Sequence, residues 1–285
     1  MSMLVKASGL TKRYGTTTAL DHVDFQIEEG RIVGLIGPNG AGKTTALKAI
    51  LGLTEFEGEL DVLGHDPRQA RHNLMRDVCF IADVAVLPRW LKVSNAIDYV
   101  EAVHPGFSRE RAMHFLDRTK IKQKSKVGEL SKGMVTQLHL ALIMAIDVKL
   151  LVLDEPTLGL DILYRKEFYT SLLNDYFDGH RTILVTTHQV EEIEKILTHL
   201  MFIDGGRVTL DRSMDEVAEE YTEVLVAQYK AAAAQAMKPL YEREVFGKKL
   251  FLFEGVSREE LAKLGEIHTP SVADIFVAKV KGGMQ

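Results

Sequence analysis

The chain predicts an α/β fold, and three observations carry that prediction. Short apolar runs of strand length, RIVGLIG at 31–37, LLVLD at 150–154 and ILVTTH at 183–188, are separated by helical segments, the rhythm of a parallel sheet. The octapeptide GPNGAGKT, Gly37 to Thr44, joins the first run to TTALKAILGL (44–53), which has helical spacing. Alternating stretches precede this unit, and the composition shifts after about residue 212.

The elements follow in order. MLVKASGL and ALDHVDFQIEEG alternate apolar with polar residues, which predicts antiparallel strands around a turn at TKRYGTT. The octapeptide comes next and fits G-x-x-x-x-G-K-[ST]. Gly37, Gly40 and Gly42 let the backbone turn tightly and aim several N–H groups at a triphosphate. Lys43 supplies a mobile cation for the β- and γ-phosphates, and the Thr44 hydroxyl can ligate Mg²⁺. The phosphates then sit on a helix N-terminus, where the dipole favours anions. Average residue usage gives such a pattern in about one chain in a hundred of this length, so a nucleoside triphosphate is the expected ligand.

Residues 54–83 read as further strands and short turns, with GELDVLG at 58–64 and DVCFIAD at 77–83. From about 88 to 146 the character is helical, as in VSNAIDYVEAV (93–103) and SRERAMHFLDRTKI (108–121), which Ser108 starts. MFIDGGRVTL (201–210) predicts a hairpin turning near Gly205–Gly206. Beyond 212, EVLVAQ, AAAAQAM, KKLFLFEG and a closing helix SVADIFVAKV predict a small α+β extension. The expected division is therefore residues 1–212 and 213–285.

Composition narrows the partners. The net charge of −5 and the lack of a long basic run argue against nucleic acid. The single cysteine, Cys79, excludes an internal disulfide and suits a reducing cytoplasm. MSMLVKASGL lacks the apolar core of a secretory signal, and no run approaches 18 apolar residues, so another chain is expected to supply any membrane span.

Two stretches narrow the chemistry. LLVLDEP (150–156) places Asp154 and Glu155 at the C-terminal end of an apolar strand, where a parallel sheet presents its ligand. Asp154 can hold the Mg²⁺ shell, and Glu155 can orient or deprotonate the attacking water. Alone, this stretch reads equally well as a solvated acidic strand end; the phosphate loop upstream decides for chemistry. In LSKGM (130–134), Ser131 can cap a helix over about 133–146, and such a helix start is a ready anion site. Alone, it reads better as a plain capped helix whose Leu138, Ala141 and Leu142 face the core. Its place just before LLVLDEP tips the balance toward the anion site.

Together these motifs resemble the ATP-binding subunit of an ABC transporter: a P-loop NTPase core with an antiparallel β subdomain, a helical subdomain and, here, the C-terminal extension. GPNGAGKTT is similar to the family's Walker A loop, LSKGM to its signature loop, LLVLDEP to Walker B, TLGLD (157–161) to its D-loop and TTH (186–188) to its switch histidine. The motifs cover roughly residues 1–210 in the family's order. LSKGM, HPGFSRERAMHFLD (104–117) and PSVADIF (270–276) further resemble export-type subunits serving drugs, antibiotics or polysaccharides.

The resemblance implies that Gly37, Pro38, Asn39, Gly40, Ala41, Gly42, Lys43, Thr44 and Thr45 enclose the triphosphate of ATP, with Tyr14 stacked on adenine. It implies Mg²⁺ on Thr44, Asp154 and Asp83, and His188 bonding the γ-phosphate and steadying Glu155. The alternative for Tyr14 is a surface turn tyrosine, the less favoured reading, and for His188 a satisfied strand-end histidine, as most lone histidines are. The resemblance further implies that Ser131 and Gly133 contact the γ-phosphate held by the opposite subunit, and that Asp161 lies across that boundary. Two copies, or this chain and a homologue, are therefore expected to close head to tail on two ATP and to pull on a membrane-spanning permease at the cytoplasmic face.

Some positions depart from the family pattern. Asp83 stands where glutamine is usual, which implies slower or partner-dependent hydrolysis. Lys132 replaces a signature glycine, Met134 the usual glutamine, and Gln137 a common arginine. Trp90, in VLPRWLKV, falls where the family receives the permease's coupling helix; packing inside the helical subdomain is the equal alternative. Two other functions compete with transport. A soluble ABC ATPase acting on DNA or ribosomes tends to carry a coiled-coil insertion or tandem cassettes, and neither fits. A regulatory module that holds ATP with weak hydrolysis is motivated by Asp83.

Overall fold

The computed structural model describes residues 2–81 and 87–282. It opens with β1 (Met3–Tyr14) and β2 (Thr17–Glu28), then β3 (Ile32–Ile36), α1 (Lys43–Ile50) and β4 (Glu57–Val62). β2, β1 and β4 form an antiparallel sheet in that order. Alternation does what the sequence predicts: Val5, Ala7, Val23, Phe25 and Ile27 are buried while the residues between them face outward.

The stretch 54–83 departs from expectation. Here α2 (Pro67–Leu74) forms where strands and turns were expected. Its helical signal lies in the start rather than in periodicity. Asp66 accepts a hydrogen bond from the Arg68 N–H, and Pro67 opens the first turn. Only Pro67 and Leu74 are buried, so PRQARHNL has no apolar stripe to betray it.

β5 (Val78–Ile81) leads into the helical region of α3 (Val93–Val103), α4 (Arg109–Asp117) and α5 (Lys132–Met144). The Ser108 cap is present, accepting from the Arg111 N–H at 3.3 Å. α4 stops short of the expected 121 because the Thr119 hydroxyl donates to the Leu116 carbonyl at 2.7 Å and accepts from the Ile121 N–H at 3.1 Å. β6 (Leu150–Asp154), α6 (Ile162–Ser171), β7 (Thr182–Thr186), α7 (Val190–Ile193), β8 (His199–Asp204) and β9 (Arg207–Ser213) complete the core. Gly205 and Gly206 take positive φ (53° and 78°) to turn the β8–β9 hairpin.

The central sheet runs β5-β6-β7-β3-β8-β9. All neighbours are parallel except β9, which pairs antiparallel to β8. Both faces are covered, so its strands are apolar throughout. Val33, Leu35, Val152 and Leu184 face α1 and the antiparallel sheet. Ile32, Ile36, Leu151, Leu153 and Ile183 face the helical region and α6.

The extension comprises α8 (Met214–Glu220), β10 (Tyr221–Val226), α9 (Ala231–Ala236), β11 (Tyr241–Val245), β12 (Lys248–Glu254), α10 (Arg258–Ala262), β13 (Glu266–His268) and α11 (Val272–Gly282). Its antiparallel sheet, ordered β11-β12-β10-β13, has a small core of Val224, Val226, Phe251, Phe253 and Leu261. α11 does more than close this unit. Val272, Ile275 and Ala278 join the main core, and Phe276 meets Phe202 of β8 edge-on with 5.3 Å between ring centroids.

The strand order positions the site. β6, β7 and β3 are adjacent and parallel, so the loops that follow them meet at one rim.

Candidate functional site

β3 ends at Ile36, and the chain loops over Gly37–Gly42 before α1 begins at Lys43. Two glycines here are required by close backbone approach. A Cβ on Gly37 would stand 2.2 Å from the Ile203 carbonyl oxygen, and one on Gly42, whose φ is +113°, 2.5 Å from that of Ala19. Gly40, at φ +83°, has nothing within 4 Å of where a Cβ would lie, so the loop stays open at that point. Lys43 is buried, and its Nζ donates to the carbonyls of Gly37 at 2.7 Å and Pro38 at 3.2 Å. Burial lowers its pKa, while the nearby carboxylates of Glu155 and Asp154 oppose that shift. A desolvated cation thus waits beneath a glycine cradle.

The strand β6 delivers the acids. Asp154, also buried, accepts from the Thr186 hydroxyl at 2.5 Å through Oδ1 and from the Thr44 hydroxyl at 3.2 Å through Oδ2. Glu155 takes a left-handed conformation (φ +49°), which side chains adopt at some cost and which recurs at functional sites. Its N–H donates to the Thr186 carbonyl at 3.0 Å, and its Oε2 pairs with His188 Nδ1 at 2.8 Å. The His188 ring is half exposed while the Glu155 carboxylate is largely covered.

One cleft is lined by Ala19, Asn39, Gly40, Gly42, Lys43, Thr44, Thr45, Asp154 and Glu155. It unites residues more than a hundred positions apart in sequence. Tyr14 stands half exposed, with its hydroxyl beside Thr54 and Thr45. Hydrogen bonding there, to Thr54 first, lowers its pKa, and Lys12 Nζ sits 5.0 Å from the ring centroid. Ala41 is buried under the loop. Gly37, Pro38, Asn39 and His188 also line a second cleft, shared with Phe276 of α11.

Ser131, Gly133 and Asp161 lie outside the lining of the first cleft. Ser131 caps α5, accepting from the Met134 N–H at 3.2 Å, as its sequence context predicts. Asp161 caps α6, accepting from the N–H groups of Leu163 and Tyr164, each at 3.1 Å. These two segments adjoin each other within the chain: a Cβ on Gly159 would stand 3.2 Å from Lys132 Cε. Asp83 lies outside the described residues.

The donor set fits a hard divalent cation. Thr44 Oγ1 and Asp154 Oδ2 are oxygens 3.2 Å apart, with the cationic Lys43 beside them to meet phosphate. Sequence reasoning missed Thr186, which fixes Asp154; its signal was a hydroxyl residue at the C-terminal end of β7, two positions before His188. It also missed Arg165, one helical turn after Asp161, which bonds both the Leu160 carbonyl and the Gln189 side chain. Trp90 is 74% exposed, which excludes the reading that packs it inside the helical region.

Residues 20–158 match the family described as ABC transporter. The Nod factor export ATP-binding protein I of Cupriavidus pinatubonensis is 31% identical over 290 residues, covering 95% of this chain and 86% of that protein. The daunorubicin resistance ATP-binding protein DrrA3 of Streptomyces coeruleorubidus is 31% identical over 222 residues, covering 76% and 70%. A solved structure of an ATP-binding subunit of an ABC transporter superimposes with a TM-score of 0.68 at 25% identity, over 76% of this chain and 92% of that one.

Proposed function

Because this chain belongs to the family of ABC transporter ATP-binding proteins, we propose that it drives export by closing as a pair around two MgATP and reopening on hydrolysis. In this reading the Gly37–Thr45 loop and Lys43 hold the triphosphate, and Tyr14 supports adenine. Thr44 and Asp154 would hold Mg²⁺, which supplies charge neutralisation between the phosphates when bound. Glu155 accepts the proton of the attacking water. His188, bonded to its Oε2, fixes the direction in which the carboxylate points. The left-handed turn at Glu155 falls just past the strand end, where its carboxylate meets His188.

A single observation carries the pairing. The cleft lined by the phosphate loop does not include Ser131, Gly133 or Asp161, which supports the reading that one molecule presents two half-sites. Ser131 and Gly133 of a second copy, or of a homologue, complete the pocket. The exposed N–H groups and hydroxyl of a capped helix start suit the γ-phosphate. Phosphate release measured beside dimer formation tests the reading.

Among the described residues no helix is long and apolar enough to cross a membrane. We assign the span to a separate permease, with this chain peripheral to it on the cytoplasmic side. Trp90, 74% exposed, and Tyr99, 66% exposed, offer aromatic anchors for it. Trp90→Ala is expected to reduce co-purification of the permease at least tenfold, about 1.4 kcal/mol of affinity. Basal phosphate release by the purified subunit is expected to stay within twofold. Undiminished co-purification removes Trp90 from the interface.

A further inference from the structure

Hydrolysis in the proposed function needs two events in step: engagement of the partner and orientation of the water-activating carboxylate. The segment 157–161 answers to the first, and the His188 loop to the second. One side chain joins them inside this chain. Arg165, in the second turn of α6, is largely buried. Its Nε donates to the Leu160 carbonyl at 2.7 Å. Its Nη1 donates to the Gln189 side-chain oxygen and reaches Glu192 Oε1 at 3.2 Å.

Both ends of this bridge are placed to matter. Leu160 is buried next to Asp161, the residue expected at the subunit boundary. Gln189 directly follows His188, and its N–H is pinned by the Thr187 hydroxyl at 3.0 Å. His188 in turn bonds Glu155 through its ring at 2.8 Å. Among the described residues the remaining Glu192 oxygen, Oε2, is buried with no hydrogen-bond partner, while Oε1 meets Arg165. A guanidinium suits this position because its planar fork holds several acceptors at fixed angles.

We propose that Arg165 is a positioning residue that couples the 157–161 loop to the His188–Glu155 pair. Movement of the Leu160 carbonyl when a partner docks shifts the guanidinium, and Gln189 passes the shift to His188. The bridge is intrachain and its residues lie outside the lining of the cleft that holds Lys43 and Thr44, so it governs turnover and leaves nucleotide affinity alone. It rests on the proposed roles of Glu155 and His188.

The test is a double-mutant cycle on the full chain with Arg165→Met and Gln189→Ala. Each single variant is expected to lower kcat by about fivefold or more, with KM for MgATP within twofold of the parent. The double variant is expected to lose no more than the worse single one, because both cut the same bridge. Unchanged kcat in both singles, a change confined to KM, or losses that multiply in the double would overturn the proposal. If Arg165→Met does not fold, Gln189→Ala decides alone on the same kcat-against-KM split. A Glu155→Gln control separates the two levels: parental turnover there refutes the hydrolytic reading itself, whereas an inactive control with an undisturbed cycle refutes only the bridge.

Discussion

Replacing Glu155 by Gln is expected to lower ATP turnover by on the order of 10²- to 10⁴-fold, the usual contribution of a positioned general base. The change is nearly isosteric. The amide oxygen can still accept from His188 Nδ1, now 2.8 Å from the carboxylate, so the rim keeps its shape. What disappears is the ability to take a proton. Nucleotide affinity is expected to hold or rise, because a negative charge leaves the neighbourhood of the phosphates. Phosphate release and a nucleotide titration on the same preparation check both halves. Turnover at the parental rate would remove Glu155 from the proton-accepting role.

Lys43→Ala is expected to cost on the order of 10²-fold or more in rate, as loss of a focused electrostatic contact does. Unlike the Glu155 change, it is expected to weaken binding as well. Lys43 is the cation set between the loop carbonyls and the acids Asp154 and Glu155. Without it, an incoming triphosphate meets two carboxylates with nothing to offset them. Lys43→Arg is expected to rescue little. Nζ already sits 2.7 Å from the Gly37 carbonyl in a buried slot, which a branched, planar group overfills. Parallel measurement of KM and kcat separates the variants: Glu155→Gln moves kcat, and Lys43→Ala moves both.

Much of this architecture was legible because it obeys short-range rules. The strands β3, β6 and β7 announce themselves as apolar runs of strand length, and the phosphate loop as glycines at fixed spacing. Ser108 and Ser131 declared their helices through capping. α2 escaped because it is amphipathic only at its ends, so a period search sees nothing. The docking of α11 on β8 escaped for a different reason. Phe276 reads as core in any helix, but which sheet it packs on is decided by a contact 74 residues away in sequence, with Phe202.

The site shows the same division. Asp154 and Glu155 could be singled out from a strand end next to a phosphate loop. The clamp on Asp154 by Thr186 could not, since it depends on β6 and β7 being neighbours. Arg165 likewise gains meaning only when α6 and the His188 loop are seen side by side. Local chemistry is written in spacing, whereas partnerships between loops are written in topology.

The proposal that nucleotide joins two incomplete sites is tested most directly by sedimentation of the Glu155→Gln protein, with and without saturating MgATP. The expected result is a monomer without nucleotide and a dimer with it, abolished by adding Ser131→Arg, which places bulk and like charge where the second copy's Lys43 and phosphate must meet. A protein that stays monomeric with MgATP, even beside its permease and any homologous subunit, would contradict the account.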